Sequence, residues 1–431
     1  MEQKNPMVFQ VVDTVKQQKD SYDLWKMCFN DTKEYMDNYF AWRLKENQIL
    51  SLYDNEIMAS MLHLNPYPIM ISGKEIPSNY IVGVATRPEY RGNGLMRNLL
   101  TTALKNMYEE GHGFTFLMPA KDKIYLPFDF RYIYEQHRRK LRIKEEDLPF
   151  WLEEMDEVWA AEVHQESYDK ATSIRVEKLD DSSTKELREL LIFVNKILAS
   201  NEDIYTKRDE HYYRRLQGDM KSAGGNVLLI YDDNKIVGCT SYMLEGNYGE
   251  VTETIIEKEY TKEIFPLIVK EIAAHWMDCK TKDNTPWGQE ELEITFLESE
   301  FIREKDLGSF KLKEEKNPII MGRIVNLKKF MENMTAKEPL SITIKLSDPI
   351  IKENHGTWEF HFAEKINDKY YCKTTISHKE PELILDIGTF IEISMGYKKI
   401  TELNDRNLTK ETVEKLENIN FFHKLLLNEI V

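Results

Sequence analysis

Residues 80–130 read YIVGVATRPEYRGNGLMRNLLTTALKNMYEEGHGFTFLMPAKDKIYLPFDF, and this segment indicates the fold more clearly than any other in the chain. Its apolar start, residues 80–85, predicts a strand, and the glycine-containing turn at residues 91–94 follows it. A helix is predicted next, because apolar residues recur at the spacing of one helical face. These residues are Leu95, Leu99, Leu100, Ala103 and Met107. Residues 114–118 predict a second strand.

The turn at residues 91–94 has the composition of an anion-binding turn. Gly92 and Gly94 carry no Cβ, so the main chain can approach an anion closely. The N–H groups and the positive end of the following helix would face that anion, and Arg91 and Arg97 add positive charge on either side. A plain surface turn with a solvated arginine is the alternative, because short glycine motifs also match by chance. The order strand, turn, helix, strand favours a phosphate site.

The segment resembles motif A of the GCN5-related N-acetyltransferases (GNAT), whose Arg/Gln-x-x-Gly-x-Gly/Ala turn holds the pyrophosphate of coenzyme A. Residues 91–96 correspond to this turn, with Met96 in place of the usual last small residue. The Val-x-Thr-x-Pro run at residues 84–88 and the aromatic run at residues 124–130 are similar to the Eis-like (enhanced intracellular survival) branch of that family. The resemblance implies an N-acetyltransferase that uses acetyl-CoA as its cosubstrate.

The resemblance also assigns residues to coenzyme binding. The backbone of Val84, Ala85 and Thr86 would hydrogen-bond the pantetheine arm and the thioester. Ala120 stands where the family often has a serine, so only a backbone contact is expected there. The pyrophosphate would be held by the turn and the first helical residues: Arg91, Gly92, Asn93, Gly94, Leu95, Met96 and Arg97.

Two catalytic groups follow from the same resemblance. Tyr125 is expected to protonate the leaving thiolate, and the terminal carboxylate of Val431 is expected to be the general base. Proton transfer from a phenol of pKa about 10 to the anion of a thiol of pKa about 8.5 is uphill by about 2 kcal/mol, unless the site lowers the phenol's pKa. The alternatives are a structural buried aromatic for Tyr125, a merely packed terminus for Val431, and Glu429 as a rival base.

The chain has 431 residues, which predicts two to three domains. We expect a mixed α/β (α+β) protein with two GNAT folds in tandem, the second degenerate. The expected divisions are a catalytic GNAT domain at residues 1–155, a degenerate GNAT-like domain at 156–305 and a sterol-carrier-protein-like domain at 306–431. The third assignment follows from the Eis-like resemblance and is compatible with the alternating strands predicted after residue 317.

The second domain is predicted from a partial repeat. Two strands at residues 227–231 and 236–240 repeat the strand pair at residues 49–53 and 57–62, with a turn of similar composition between them. The connection to the following helix at residues 257–260 is acidic and contains no glycine, so it could not hold a pyrophosphate. A chance match between short strand patterns is the alternative.

The charge and the cysteines restrict the partners. The net charge of −16 predicts repulsion of nucleic acid and anionic membranes and permits a small-molecule amine substrate. No run approaches the ~18–20 apolar residues of a membrane span, and the first residues do not resemble a signal peptide. The four cysteines are widely spaced, so neither disulfides nor a metal site is expected, and the cytoplasm is the expected compartment.

Other functions remain open on the sequence. One is an N-acyltransferase for longer acyl chains, and another is a non-catalytic protein that binds acyl-CoA or an apolar ligand. The resemblance further implies a homo-oligomer, specifically a hexamer. The identity of the acceptor amine cannot be read from sequence patterns.

Overall fold

The computed structural model describes residues 7–148, 152, 174–282, 290–297, 313–406 and 408–429. These residues contain substantial helix and strand, as the predicted mixed α/β class requires. The strands form one sheet of 12 strands, one of six and one of four. Among the described residues, every helix is too short or too polar to cross a membrane.

We call the described part of residues 7–148 the first unit. Its helices and strands are β1 (Val8–Val11), α1 (Val15–Cys28), α2 (Lys33–Arg43), β2 (Gln48–Asp54), β3 (Ile57–Pro66), β4 (Ile69–Ile71), β5 (Lys74–Ile76), β6 (Asn79–Thr86), α3 (Leu95–Glu109), β7 (Phe114–Leu117) and β8 (Arg131–Lys144). The predicted apolar face of α3 is confirmed, since Leu99, Leu100 and Ala103 are fully buried.

The described part of residues 174–297 forms the second unit. Its elements are β9 (Ile174–Lys178), α4 (Thr184–Asn201), β10 (Ile204–Thr206), α5 (Glu210–Ser222), β11 (Asn226–Asp232), β12 (Lys235–Glu245), β13 (Tyr248–Ile256), α6 (Thr261–Lys282) and β14 (Glu291–Leu297). Its helices begin at polar caps: Ser183 precedes α4, and the Asp209 side chain accepts a hydrogen bond from the backbone N–H of Tyr212 in α5.

The remaining described residues, 313–429, form the C-terminal region. Its elements are β15 (Lys313–Ile324), α7 (Leu327–Met331), β16 (Thr335–Ala336), β17 (Leu340–Ser347), β18 (Gly356–Ile366), β19 (Lys369–Ile376), β20 (Leu383–Asp386), α8 (Ile387–Ser394), α9 (Lys410–Asn418), β21 (Ile419–Asn420) and β22 (Leu425–Leu426). The six-stranded sheet runs β20-β17-β18-β19-β16-β21 and lies wholly within this region.

The 12-stranded sheet joins the first and second units. Its order is β1-β2-β3-β6-β7-β15-β8-β14-β13-β12-β11-β9, so β15 and β8 stand at its centre. The boundaries expected near residues 155 and 305 lie outside the described residues. The sequence-based division placed β15 with the third domain, yet β15 pairs with both β7 and β8 in this sheet. The C-terminal region therefore contributes a strand to the core of the first unit.

The repeat predicted from sequence has a matching structural detail in the two units. In the first unit the Tyr90 hydroxyl donates to Asp54 at 2.9 Å, and in the second the Tyr260 hydroxyl donates to Asp232 at 2.6 Å. In both units a short 3-10 turn carries the tyrosine. The difference is the anion turn: residues 91–94 separate Tyr90 from α3, whereas α6 begins directly after Tyr260.

A four-stranded sheet connects three distant parts of the chain. Its order is β22-β10-β4-β5, so strands of the first unit, the second unit and the C-terminal tail lie side by side. In this sheet β22 pairs in parallel with β10, and the backbone N–H of Asp203 donates to the Lys424 carbonyl at 2.8 Å. The predicted burial of the tail is confirmed for its described part, since Leu427 is fully buried.

Candidate active site

Strands β6 and β7 part from one another at the centre of the first unit. They are parallel neighbours, but they pair at a single position, Tyr80 with Phe116. Along its other edge β6 stays paired with β3, from Asn79 to Thr86. We call the gap beyond the Tyr80–Phe116 pair the fork. Val84 and Thr86 on β6 are only half-buried, so that stretch of β6 faces an opening rather than a neighbouring strand.

A bulge in β6 gives a physical reason for this separation. The register between β3 and β6 shifts next to Gly83, whose φ of +59° suits glycine. A Cβ at this position would lie 2.5 Å from the ring of Trp25. A bulge bends its strand and increases the local twist. The Gly83 bulge therefore turns the end of β6 away from β7.

The glycine turn lies directly after β6. Gly92 and Gly94 have φ values of +79° and +74°, and a Cβ built on either would meet no atom within 4 Å. Gly94 is the N-cap of α3, which leaves the first N–H groups of the helix unpaired within it. The side chain of Asn93 donates to the Tyr90 carbonyl at 3.0 Å and holds the turn. The space and the donors fit a bound phosphate.

The other residues expected at the coenzyme surround this turn in different ways. Arg91 and Arg97 are exposed; the Nε of Arg91 donates to the Thr86 carbonyl at 3.1 Å, and Arg97 lies 4.8 Å above the ring of Phe128. Leu95 is buried, so only its backbone is accessible to a ligand, and Met96 is half-buried. Ala85 is also buried, whereas Ala120 is exposed after the end of β7.

Tyr125 lies beyond β7 between two short 3-10 turns, Asp122–Ile124 and Leu126–Phe128. Its ring packs edge-on against Phe130, with centroids 6.0 Å apart, and its residue is 8% exposed. Burial raises the pKa of Tyr125 to about 12. The sequence argument asked for a lowered pKa, and the ligand-free site does the opposite. Full proton transfer to a thiolate would then be uphill by about 5 kcal/mol.

Val431 lies outside the described residues, but Glu429 can be placed. Glu429 is buried, and three side chains converge on its Oε1 atom. Thr206 and Tyr212 donate from their hydroxyls, the latter at 3.4 Å, and the guanidinium of Arg208 lies at 3.4 Å. Such donors stabilise the carboxylate form and weaken it as a base. The structure therefore disfavours Glu429 as the rival base.

A cavity of about 250 Å³ adjoins the closed end of the fork. It lies between α2, α5 and the C-terminal tail, and Asn428 and Glu429 form part of its wall. Its tyrosines are Tyr35, Tyr39, Tyr67 and Tyr212. The ring of Tyr67 also contacts Tyr80 at 5.7 Å and Phe116 at 6.3 Å between centroids. The cavity and the fork therefore share one aromatic wall.

Sequence reasoning mentioned Tyr39 only as a possible pocket residue and missed most of this cavity. A signal existed in α5, where Tyr212, Arg215 and Asp219 follow helical spacing on one face. Polar residues at the spacing of a buried face are unusual and point to a cavity or an ion network. No comparable signal connects α5 with α2 or with the tail, because these segments are far apart in the chain.

Tyr39 takes part in a buried polar cluster behind the cavity. Its hydroxyl lies 3.0 Å from Nδ1 of His63 and donates to Asn65 Oδ1 at 3.2 Å. The hydroxyl of Ser21 lies 3.1 Å from the other ring nitrogen of His63. Burial lowers the pKa of His63 to about 3, so the imidazole is neutral at physiological pH. The cluster therefore orients Tyr39 without adding charge.

A larger groove of about 1240 Å³ lies elsewhere, between the second unit and the C-terminal region. It includes the end of β13 and the turn before α6, which is the position of the anion turn in the first unit. That turn holds Glu257 and Glu259 and no glycine. Size alone therefore does not identify the site. Among the described residues, no group of three or more His, Cys, Asp or Glu side chains could hold a metal ion.

Comparison with known families agrees with this geometry. Residues 14–133 match the acetyltransferase (GNAT) domain family, and residues 327–422 match the sterol carrier protein domain family. The chain is a GNAT acetyltransferase-domain protein with a C-terminal sterol carrier protein domain. The family resemblance found in residues 80–130 is confirmed at this level. The chain matches no curated protein sequence.

Several solved structures share the fold over nearly the whole chain. A probable N-acyltransferase from Enterococcus faecalis is 17% identical with a TM-score of 0.71, covering 97% of this chain and 99% of that one. A GCN5-related N-acetyltransferase from Anabaena variabilis is 16% identical with a TM-score of 0.70, covering 97% and 98%. Eis1 from Mycobacterium abscessus is 10% identical with a TM-score of 0.64, covering 99% and 100%. The Eis-like architecture of the fold is thus confirmed.

Proposed function

We propose that the protein is an acetyl-CoA-dependent N-acetyltransferase that transfers the acetyl group to a primary amine. The amine attacks the thioester directly, and the reaction passes through a tetrahedral intermediate. One observation carries this proposal: the fork opens beside a glycine turn at a helix N-terminus, and its closed end adjoins a cavity of about 250 Å³. This arrangement supplies a place for a nucleotide thioester and a separate place for an acceptor.

Each part of the coenzyme has a proposed partner. The pyrophosphate binds the N–H groups of residues 92–97 and the charges of Arg91 and Arg97. The pantetheine arm lies along the free edge of β6, where Val84 and Thr86 present backbone hydrogen-bonding groups, and Ala120 flanks it from the β7 side. The acyl carbon then lies near Tyr80 and Phe116, at the closed end of the fork. Backbone N–H groups there can stabilise the oxyanion as negative charge develops.

The acid and the base act on opposite sides of the tetrahedral intermediate. We assign Tyr125 as the acid, since its neutral phenol can donate to the departing sulfur. We assign the carboxylate of Val431 as the base. Support comes from the tail, because Glu429 already lines the acceptor cavity and Val431 follows within a reach of about 7 Å. The charges of both Glu429 and Tyr125 act on the buried hydroxyl of Tyr80, which is consistent with both lying near the fork.

Coenzyme binding provides the first experiment. Titration calorimetry with acetyl-CoA should detect binding by the wild type, and Gly94→Val should weaken it at least about tenfold by filling the phosphate space. Gly111→Val is the matched control, because Gly111 has a φ of +81° and open space around it at the other end of α3. Undetectable binding by the wild type, or equal loss in both variants, would refute the proposed coenzyme site.

Turnover provides the second experiment. Release of free coenzyme A should be measured with a panel of primary amines, with and without each amine. Amine-dependent release, with formation of an amide confirmed by mass spectrometry, is expected. Coenzyme binding without amine-dependent release from any member of the panel would favour a non-catalytic acyl-CoA-binding protein instead.

Further proposals concern the setting of the enzyme. We propose the three-domain division given above, a cytoplasmic location, and assembly as a hexamer without nucleic acid or membrane partners. Light scattering tests the assembly, since a hexamer would have six times the chain mass of 51.0 kDa. A monomer mass would refute it.

A further inference from the structure

The acceptor cavity contains two buried arginines beside one aromatic ring. The guanidinium of Arg215 lies 4.8 Å from the centroid of the Tyr67 ring, and that of Arg43 lies 4.9 Å from it. Arg43 is 2% exposed and Arg215 is 5% exposed, and both line the cavity. Buried guanidinium groups are uncommon unless an anion compensates them.

The two arginines differ in how they are compensated. Arg43 donates to the Tyr67 hydroxyl and to Glu46 Oε1, the latter at 3.2 Å. For Arg215 the nearest carboxylate oxygen in an ion pair is that of Glu46, at 3.9 Å, which is too long for a hydrogen bond. Among the residues that the structure describes, no hydrogen bond from the Arg215 guanidinium is found. Its donors are thus left for a group that enters the cavity.

The remaining charges in the cavity are acidic and unevenly engaged. Glu253 and Glu429 are both paired with the buried guanidinium of Arg208. Asp219 accepts a hydrogen bond from Asn38 at 2.6 Å, and Asp31 accepts one from the Trp25 indole at 2.7 Å. The wall therefore offers both a cationic group and carboxylates, whereas a pocket built for a polycation would offer carboxylates alone.

We propose that the acceptor is a small zwitterion, an amine that also carries a carboxylate, as in an amino acid. The acceptor carboxylate binds Arg215, assisted by Arg43, and the amine lies on the acidic side of the cavity, toward the fork. A guanidinium binds a carboxylate through two parallel hydrogen bonds, and burial strengthens this pairing. The cavity of about 250 Å³ suits an acceptor of this size. This inference rests on the proposed function and names its substrate class.

The test compares acceptors that differ only in the carboxylate. Each of several α-amino acids is assayed against its own carboxamide at saturating acetyl-CoA. In the wild type, kcat/KM for the better amino acids should exceed that for their amides at least about tenfold, mainly through KM. Arg215→Gln should remove this preference and leave turnover of the amides unchanged. Arg215→Lys, which keeps the charge but not the fork of donors, should retain part of it.

A neighbouring arginine supplies the control. Arg214 lies on the same helix, pairs with Glu210 at 2.7 Å and is partly exposed to solvent, so Arg214→Gln should keep the full preference. Melting curves establish that each variant is folded. If Arg215→Gln does not fold, Arg215→Lys and the wild-type comparison of acid with amide still decide the matter.

The outcomes separate this inference from the proposed function. Equal kcat/KM for amino acids and amides in the wild type, or an undiminished preference in Arg215→Gln, would overturn the zwitterion inference while amine acetylation stands. Intact coenzyme binding without turnover of any amine would overturn the proposed function. Calorimetry with the amino acids themselves would then decide the subsite, since binding that is lost in Arg215→Gln supports it and absence of binding refutes it.

Discussion

Single buried side chains in the candidate site hold protonation states that their residue types do not reveal. Tyr125 and His63 are both titratable and both buried, and in each case burial favours the neutral form. For Tyr125 this keeps the acidic proton in place; for His63 it keeps the imidazole available as a hydrogen-bond acceptor to Tyr39. Both effects lead to measurable pH dependences.

Tyr125→Phe should lower kcat at least about 100-fold while leaving the affinity for acetyl-CoA unchanged, because only the acid is removed. Since the pKa of Tyr125 is about 12, the phenol stays protonated over the working range. The wild-type rate should therefore rise with pH as the amine loses its proton, with no fall below pH of about 10. Steady-state kinetics from pH 6 to 10 measures this. An unchanged kcat in the variant would contradict the assignment.

His63→Gln should make the protein less sensitive to acid. The pKa of His63 is about 3 in the fold, below the ordinary value of 6.5, so its stabilising contribution is complete above pH 6.5 and is lost as the pH falls. Between pH 7 and 4.5 the wild type should lose about 2.5 kcal/mol more unfolding free energy than the variant, whose amide does not titrate. Urea unfolding at both pH values measures this. Parallel losses would contradict the buried neutral state.

At the scale of elements, charge and strand geometry explain what the sequence pattern concealed. Strand β8 carries many cationic residues and was not predicted as a strand. In the structure it lies between β14 and β15, where cross-strand carboxylates face it. Arg142 pairs with Glu293 at 2.8 Å, and Arg139 lies 3.7 Å from Glu314. The partners that make β8 a central strand come from segments far along the chain.

The fork also belongs to this scale, because its closed end is an aromatic contact between two strands. Tyr80 and Phe116 are buried with ring centroids 5.2 Å apart. This contact limits the room for an acyl chain, which favours acetyl over longer acyl groups. It is the structural reason for preferring an acetyltransferase to a long-chain acyltransferase.

Phe116→Ala should relax this limit. The substitution opens space at the closed end of the fork, so kcat/KM for a medium-chain acyl-CoA relative to acetyl-CoA should rise by about tenfold or more. Stability should fall by about 3–5 kcal/mol. Phe114→Ala is the control, since Phe114 is equally buried on β7 but precedes the fork and packs against Phe330. An unchanged acyl preference, or the same change in both variants, would contradict this role for Phe116.

At the scale of the whole molecule, the C-terminal tail determines how the parts meet. Strand β22 pairs with β10, and Asn428 then bridges the Gln136 side chain of β8 and the Thr252 carbonyl of β13. The tail therefore closes the gap between the two units before Glu429 reaches the acceptor cavity. Assembly of that cavity requires the whole chain.

Addition of one glycine after Val431 should reduce kcat by about 100-fold, because the terminal carboxylate moves by up to about 3.5 Å. Affinity for acetyl-CoA should not change, since the coenzyme contacts lie in the first unit. Val431→Ala is the matched control, as it keeps the carboxylate in place. Full activity of the extended chain would show that another group is the base.

The local sequence determined the features that depend on neighbouring residues. The strand–turn–helix of residues 80–109 follows from apolar spacing and from two glycines that alone tolerate the backbone of the turn, so the anion turn could be located before the structure was known. The repeated strand pairs and the helix at α8 are local in the same sense.

Only the tertiary structure decided the acceptor cavity, the insertion of β15 and the raised pKa of Tyr125. Tyr39, Arg215 and Glu429 lie on three segments that come together through the small four-stranded sheet and the tail. Burial and pairing depend on such contacts, and no periodicity within one segment specifies them. The chemistry of the coenzyme turn is therefore written locally, whereas the choice of acceptor depends on how distant segments pack.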